Sequence, residues 1–268
     1  MLVHGGGRRA TKVAEALGVE SRMVNGRRVT GKDMLDVVTM VYGGLINKDI
    51  VARLQARGVN AAGLSGADMD VIRSVRRPVT DGVDFGFVGD VRHVGGDRLK
   101  MLLDADITPV LAPLTHDGHG SILNTNADTI ASSAAMALVD YYDVTLVFCF
   151  EKKGVLRNPD DDDSVIGRIT REDYARYVAD GTISGGMMPK IENALNAVDA
   201  GVKQVVITLA TEIGRHSGTV ISKWHARAPL AYGQPVVSCM SSIRFLQFAY
   251  APSAISLCVL FNIIICII

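Results

Sequence analysis

Neither sign of charge predominates in these 268 residues: 28 Lys and Arg balance 28 Asp and Glu. Without a basic excess there is no footprint for nucleic acid, and without an acidic one no solvated tail. Cysteine is scarce, and Cys149, Cys239, Cys258 and Cys266 form no CxxC pair, so neither a zinc site nor a disulfide framework is supported. The start lacks the basic and apolar regions of a signal segment, and a reducing cytoplasm is the expected compartment. GxGxxG is missing too. The glycine turn at residues 5–7 has no acidic residue placed for a ribose hydroxyl, which disfavours a dinucleotide.

Glycine, by contrast, is plentiful at 27 residues, as tight βα turns and backbone-lined ligand sites require. The length suits one large α/β domain or two lobes sharing a sheet. Up to Lys223, short β-branched runs alternate with amphipathic ones, the pattern of parallel α/β architecture. Helices are expected at residues 10–17, 33–55, 97–105, 129–139, 172–178 and 188–200, with Gly18 closing the first and Thr30 capping the second. Strands are expected at 59–64, 108–113, 143–150 and 205–209, with a β-rich stretch from 71 to 91. The run at 143–150 is continuously apolar, which marks a strand buried on both faces. There is no strong repeat and no linker, so two lobes on one open, mainly parallel sheet sandwiched between helices are expected.

Composition breaks sharply near the end. No Asp or Glu follows Glu212, and three of the four cysteines lie beyond Lys223. The apolar stretch after Pro252 is slightly shorter than the ~20 residues needed to span a bilayer. A membrane anchor and a buried core helix are the alternatives to the favoured reading, that residues 224–268 are foreign to the domain and outside its fold.

Four constellations carry chemistry. His4-Gly5-Gly6-Gly7 ends a strand and opens a helix, where residues without Cβ let the backbone approach an anion; a tight turn without ligand is the plain alternative. Arg27 and Arg28 follow the turn at Asn25-Gly26, and a guanidinium offers planar, bidentate recognition of a carboxylate. Asn124, Asn126 and Asp128 alternate, and in an extended segment would face one site; Asn126 or Asp128 as a helix cap is the alternative. Lys190 follows Gly185-Gly186-Met187-Met188-Pro189; with Pro189 as first helical residue it stands in the first turn, against the helix dipole, which makes sense where it meets a phosphate. His116 and His119 beside Asp117 are better explained by the DGHG turn than by a metal, and no metal-binding residues are expected.

In this order the segments resemble the amino-acid kinase family, in its branch acting on N-acetyl-L-glutamate. The resemblance covers residues 2–223 and rests on HGGG at 4–7, NGRRVT at 25–30, the segment at 38–68, LAPLTHDG at 111–118, LNTNADTIA at 123–131 and GGMMPK at 185–190. It implies a domain over 1–223, with an N-lobe to about residue 140 that binds the acylated amino acid and a C-lobe from about 141 that binds ATP. It further implies that Gly5 and Gly6 hold the reacting groups through backbone N–H, and that Arg28 pairs with the α-carboxylate. Asn124 would bind the amide region, Asp128 orient the catalytic lysines, and Lys190 neutralise charge on the nucleotide, beside Gly185 and Gly186. Magnesium would arrive on ATP. The long helix at 33–55 is the implied dimer element, and without the extra N-terminal helix of the arginine-inhibited hexamers a homodimer free of feedback inhibition is expected. N-succinylglutamate is the alternative acceptor, slightly supported by Arg27 beside Arg28; a non-catalytic remnant is the other. Two departures stand out. The family begins with a strand ending in Lys-x-Gly-Gly, and this chain opens after that element, so one catalytic lysine is expected to be missing. Phe150-Glu151-Lys152-Lys153-Gly154-Val155 also stands where the family has an Asp-containing turn.

Overall fold

The computed structural model describes residues 1–213, 218–223 and 263–267, the last five by their backbone alone. They fall into two compact units, Met1–Ala137 and Leu138 onward.

The first unit is built on three parallel strands. β1 (Leu2–His4) leads through the glycine turn into α1 (Gly7–Ala16). Gly18, at φ 70°, ends that helix as expected, since a glycine adopts the left-handed turn without a Cβ clash. It leaves Val19 N–H free to reach Ala14 O at 2.9 Å. A small hairpin, β2 (Met23–Val24) and β3 (Arg27–Arg28), carries the two arginines. The helix expected at 33–55 is not continuous. α2 (Lys32–Val38) runs into a π-helical stretch, Thr39–Ile46, and then α3 (Asn47–Gln55). Thr30 does not cap it: the cap residue is Gly31, without a side-chain bond. β4 (Ala61–Leu64) pairs in parallel with the strand Thr108–Leu111, which pairs in parallel with β1.

A second sheet in this unit has the strand order Gly89–Val94, Ile72–Arg76, Leu114–His116, Ile122–Asn124. β5 (Ile72–Arg76) and β6 (Gly89–Val94) form an antiparallel pair with a bulge at Arg73/Ser74. α4 (Gly96–Asp104) leads to β7 (Thr108–Leu111). β8 (Leu114–His116) and β9 (Ile122–Asn124) flank the DGHG turn, and α5 (Ala127–Leu138) follows. The core of the unit is aliphatic: Leu2, Ile46, Ile50, Leu54, Leu99 and Leu111 are fully buried.

In the second unit β10 (Thr145–Phe150) pairs in parallel with β12 (Gln204–Leu209), residue for residue from Thr145↔Gln204 to Phe150↔Leu209. Leu146 through Cys149 are all buried, as a strand covered on both faces requires. β11 (Arg168–Ile169) runs parallel to β13 (Thr219–Ile221), which is antiparallel to β12. α6 (Arg171–Ala179) starts with a capping box: Thr170 Oγ1 accepts from Asp173 N–H at 3.2 Å, and Asp173 Oδ2 accepts from Thr170 N–H at 3.0 Å. α7 (Met187–Asp199) follows.

Of the tail expected to stand outside the domain, residues 224–262 and 268 lie outside the described residues. Ile263–Ile267 form β14, antiparallel to β10 with Thr145 opposite Ile267 and Phe148 opposite Ile264. Among the described residues no helix is long and apolar enough to cross a membrane.

Candidate active site

In the first unit the glycine turn is gripped from below. Strand β1 delivers His4 fully buried, where Nδ1 donates to Gly5 O at 2.7 Å and Nε2 accepts from Asn47 Nδ2 at 3.2 Å. Burial pushes the imidazole down to about 4, against a weaker upward pull from the Gly5 carbonyl, so it is neutral at pH 7. Asn47 also donates to Val110 O at 2.9 Å, tying α3 to β7 as well as to β1. Gly6 leaves no room for a side chain: a Cβ there would stand 2.5 Å from Ile46 Cδ1 and 2.8 Å from the Tyr42 ring. Residues of the π-helical stretch thus pack against the bare Cα. Gly6 is the cap residue of α1 and Gly7 its first residue, with no side-chain cap bond, so backbone N–H groups at this helix start follow directly on the glycine turn.

Arg28 meets this turn directly. Its guanidinium donates from Nη2 to Gly7 O (3.0 Å) and Thr11 Oγ1 (2.9 Å), and from Nη1 to Ser21 Oγ. The Tyr42 hydroxyl stands beside it; burial raises the tyrosine and Arg28 opposes that shift. Arg28 is only 8% exposed, yet among the described residues all of these partners are neutral and no carboxylate pairs with it. A buried cation held by neutral groups is chemically able to take an anionic partner.

Asn124 completes the cluster. The end of β9 holds it, its N–H donating to Phe87 O at 2.9 Å, and its side chain donates to Thr30 Oγ1 at 3.0 Å. Thr30 Oγ1 in turn donates to Arg28 O at 3.3 Å. Gly5, Gly6, Arg28 and Asn124 are therefore brought together through Gly7, Tyr42 and Thr30.

Not every expected residue joins them. Asn126 is exposed and caps α5, accepting from Thr129 N–H at 3.0 Å, so Asn124, Asn126 and Asp128 do not converge as a trio. Asp128 lies half-buried in the first turn of α5. Arg27 is exposed while Arg28 is buried: neighbours on a strand point to opposite faces, so Arg27 adds no second charge beside Arg28. In the DGHG turn, Asp117 Oδ1 accepts from His119 N–H at 2.7 Å and Ser121 N–H at 3.0 Å, while His116 Nε2 pairs with Asp70 at 2.8 Å.

Lys190, Gly185 and Gly186 belong to the second unit. Gly185 sits at φ 56° and Gly186 is the cap residue of α7. Pro189 is the third residue of the helix, one turn's width from the cap rather than first in it, and still within the turn whose N–H groups find no partner inside the helix. Lys190 is the fourth, and its Nζ stands 3.9 Å over the Phe150 ring. Residue type alone did not mark Tyr42, and Thr30 was expected only as a helix cap. The only trace of the former was an uninterrupted apolar run holding Gly43-Gly44 inside a helical pattern, a sign of close packing.

A glycine turn at a helix N-terminus and a buried guanidinium with neutral partners in one unit, and a lysine at a glycine-led helix in the other, are groups suited to anions. The chain belongs to the amino acid kinase family, whose match spans residues 1–209. It is 66% identical over 223 residues to the acetylglutamate kinase of Phocaeicola vulgatus, covering 83% of this chain and 86% of that protein. It is 43% identical over 225 residues to the acetylglutamate kinase of Methanopyrus kandleri, covering 82% and 90%. Among solved structures it is similar to smu.665 from Streptococcus mutans, at 33% identity and TM-score 0.68 over 83% of this chain and 85% of that one. Carbamate kinase from Giardia lamblia shares the fold at 16% identity and TM-score 0.56, covering 83% and 82%. The protein is a kinase that uses ATP.

Proposed function

We propose that the chain transfers the γ-phosphoryl group of ATP to the side-chain carboxylate of N-acetyl-L-glutamate, giving ADP and an acyl phosphate, within arginine biosynthesis. The buried, unpaired guanidinium of Arg28 beside the glycine turn carries this reading, because it calls for a carboxylate and leaves the turn to receive a second one. The high identity to proteins named acetylglutamate kinase supports the choice of acceptor.

Roles follow from the chemistry. The acceptor carboxylate is ionised at pH 7, its ordinary value being about 4.3, so it needs no general base. Catalysis then consists of aligning two anions and stabilising charge on the group in flight. In the first unit, which takes the acylated amino acid, Gly5 and Gly6 present backbone N–H to the reacting oxygens. Arg28 takes the α-carboxylate and Asn124 the amide region. In the second unit, which takes ATP, Lys190 offsets phosphate charge and Gly185 and Gly186 let the nucleotide approach the backbone. Asp128 serves the transfer step by orienting its lysine side. Magnesium comes with ATP and neutralises the polyphosphate. Its main ligands are the phosphates. The enzyme works in the cytoplasm as a homodimer through the α2-to-α3 segment, and no nucleic acid takes part.

Hydroxylamine trapping tests the reaction. With ATP, magnesium and N-acetyl-L-glutamate, the expected result is hydroxamate formed in step with ADP, and none without the acceptor. ADP release that yields no hydroxamate contradicts the proposal.

A further inference from the structure

We propose that Phe150 is a positioning residue for the nucleotide side of the reaction, holding the Lys190 ammonium over its ring face so that the charge stays available to phosphate. This rests on the reading of Lys190 as a phosphate partner and adds a residue that the reading does not contain.

The geometry is local to one unit. Phe150 is the last residue of β10, at the carboxyl end of a parallel strand, where open α/β sheets place their ligands. Its ring is set rather than loose: Phe148, two residues earlier on the same face and buried, stacks on it with centroids 6.0 Å apart and planes within 5°. Above this pair lies Lys190 Nζ, 3.9 Å from the Phe150 centroid. Among the described residues no hydrogen bond or ion pair of Lys190 accompanies that contact. Its neighbours behave differently, since Lys152 pairs with Asp162 at 2.6 Å and Lys153 with Asp163 at 2.9 Å.

The choice of partner has a chemical consequence. A lysine in the opening turns of a helix opposes the dipole and needs support. A carboxylate would supply it, but would neutralise the charge and compete with an incoming polyphosphate. An aromatic face attracts the cation through its quadrupole and adds no formal negative charge. The ring thus holds the ammonium without a carboxylate to compete with an incoming anion. Phe150 opens the segment where the resemblance leads one to expect an acidic turn, and the ring gives that departure a use.

Calorimetric titration with ATP and magnesium tests the inference in four proteins: the full chain, Phe150→Leu, Lys190→Met and the double variant. Loss of the ring is expected to raise the ATP dissociation constant roughly two- to thirtyfold. Phe150→Tyr is expected to keep the unaltered affinity, because the ring face remains. In the Lys190→Met background, Phe150→Leu is expected to add nothing. A merely structural phenylalanine would lower the melting temperature and weaken binding equally in both backgrounds, which overturns the inference, as does unchanged affinity in Phe150→Leu. A chain that binds ATP with this coupling yet forms no hydroxamate removes the proposed acceptor and leaves the Phe150–Lys190 pair standing.

Discussion

Arg28 is where the chain's chemistry is most exposed to test. A guanidinium buried against a carbonyl, two hydroxyls and a phenol is solvated by neutral dipoles and lacks a counter-charge. Replacing it with methionine removes a charge that folding had to desolvate, so the melting temperature should hold or rise. The KM for N-acetyl-L-glutamate should climb by about ten- to a hundredfold, as expected for a lost charge-assisted bond of about 1.5–3 kcal/mol. Steady-state kinetics beside thermal melts check both halves; a variant that melts early and keeps its KM makes Arg28 a structural residue. His4 sets a second test, of pH. Its folded value, about 4, lies below the ordinary 6.5, so the unfolded chain binds the proton more readily. Stability is therefore complete above about pH 6.5 and declines as pH falls toward 4, by about 3 kcal/mol in all. Protonation would also place Nε2–H against the Asn47 amide, donor against donor. Denaturant melts at pH 7 and 4.5 should show His4→Asn losing part of that decline; an identical slope would mean another group causes it.

At the scale of elements, what was legible depended on period and length. α1, α4, α6 and α7 were readable because each shows an apolar stripe and an end signal such as Gly18. β10 and β12 were readable as continuous β-branched or apolar runs. Strands β2, β3, β8, β9, β11 and β13 have two or three residues each, too few for any period to register. The π-helical stretch escaped because widening a helix by one residue per turn leaves its apolar content unchanged. What it alters is which side chains meet Gly6, and that is a tertiary fact. The candidate site divides the same way. Gly5, Gly6, Arg28 and Asn124 announce themselves by residue type, whereas Tyr42 and Phe150 look like ordinary core aromatics until their neighbours are known. The cap of α6 offers a check on element energetics. Thr170→Ala removes an acceptor for Asp173 N–H and a partner of its carboxylate, and should cost about 1 kcal/mol in a denaturation midpoint, with acetylglutamate and ATP affinities untouched. A neutral result would show that packing alone fixes the start of that helix.

For the molecule as a whole, the balance of 28 acidic and 28 basic side chains leaves no net field to draw anionic substrates in. Attraction has to be local, and the proposal gives each unit its own: helix N-terminus and guanidinium in the first, glycine-led helix and ring-held ammonium in the second. The proposed transfer gives no residue the task of taking a proton. His4, at the head of the glycine turn, is buried, committed to Gly5 O and Asn47, and neutral down to about pH 4. The measurement that bears most directly on this account is the pH profile of kcat for acetylglutamate-dependent ADP formation between about pH 7 and 9, with magnesium and both substrates saturating. The account expects a flat profile, since neither the ionised acceptor nor His4 titrates there. A rise of tenfold per pH unit across that window, tracking loss of one proton from the protein, would show a general base at work and contradict it.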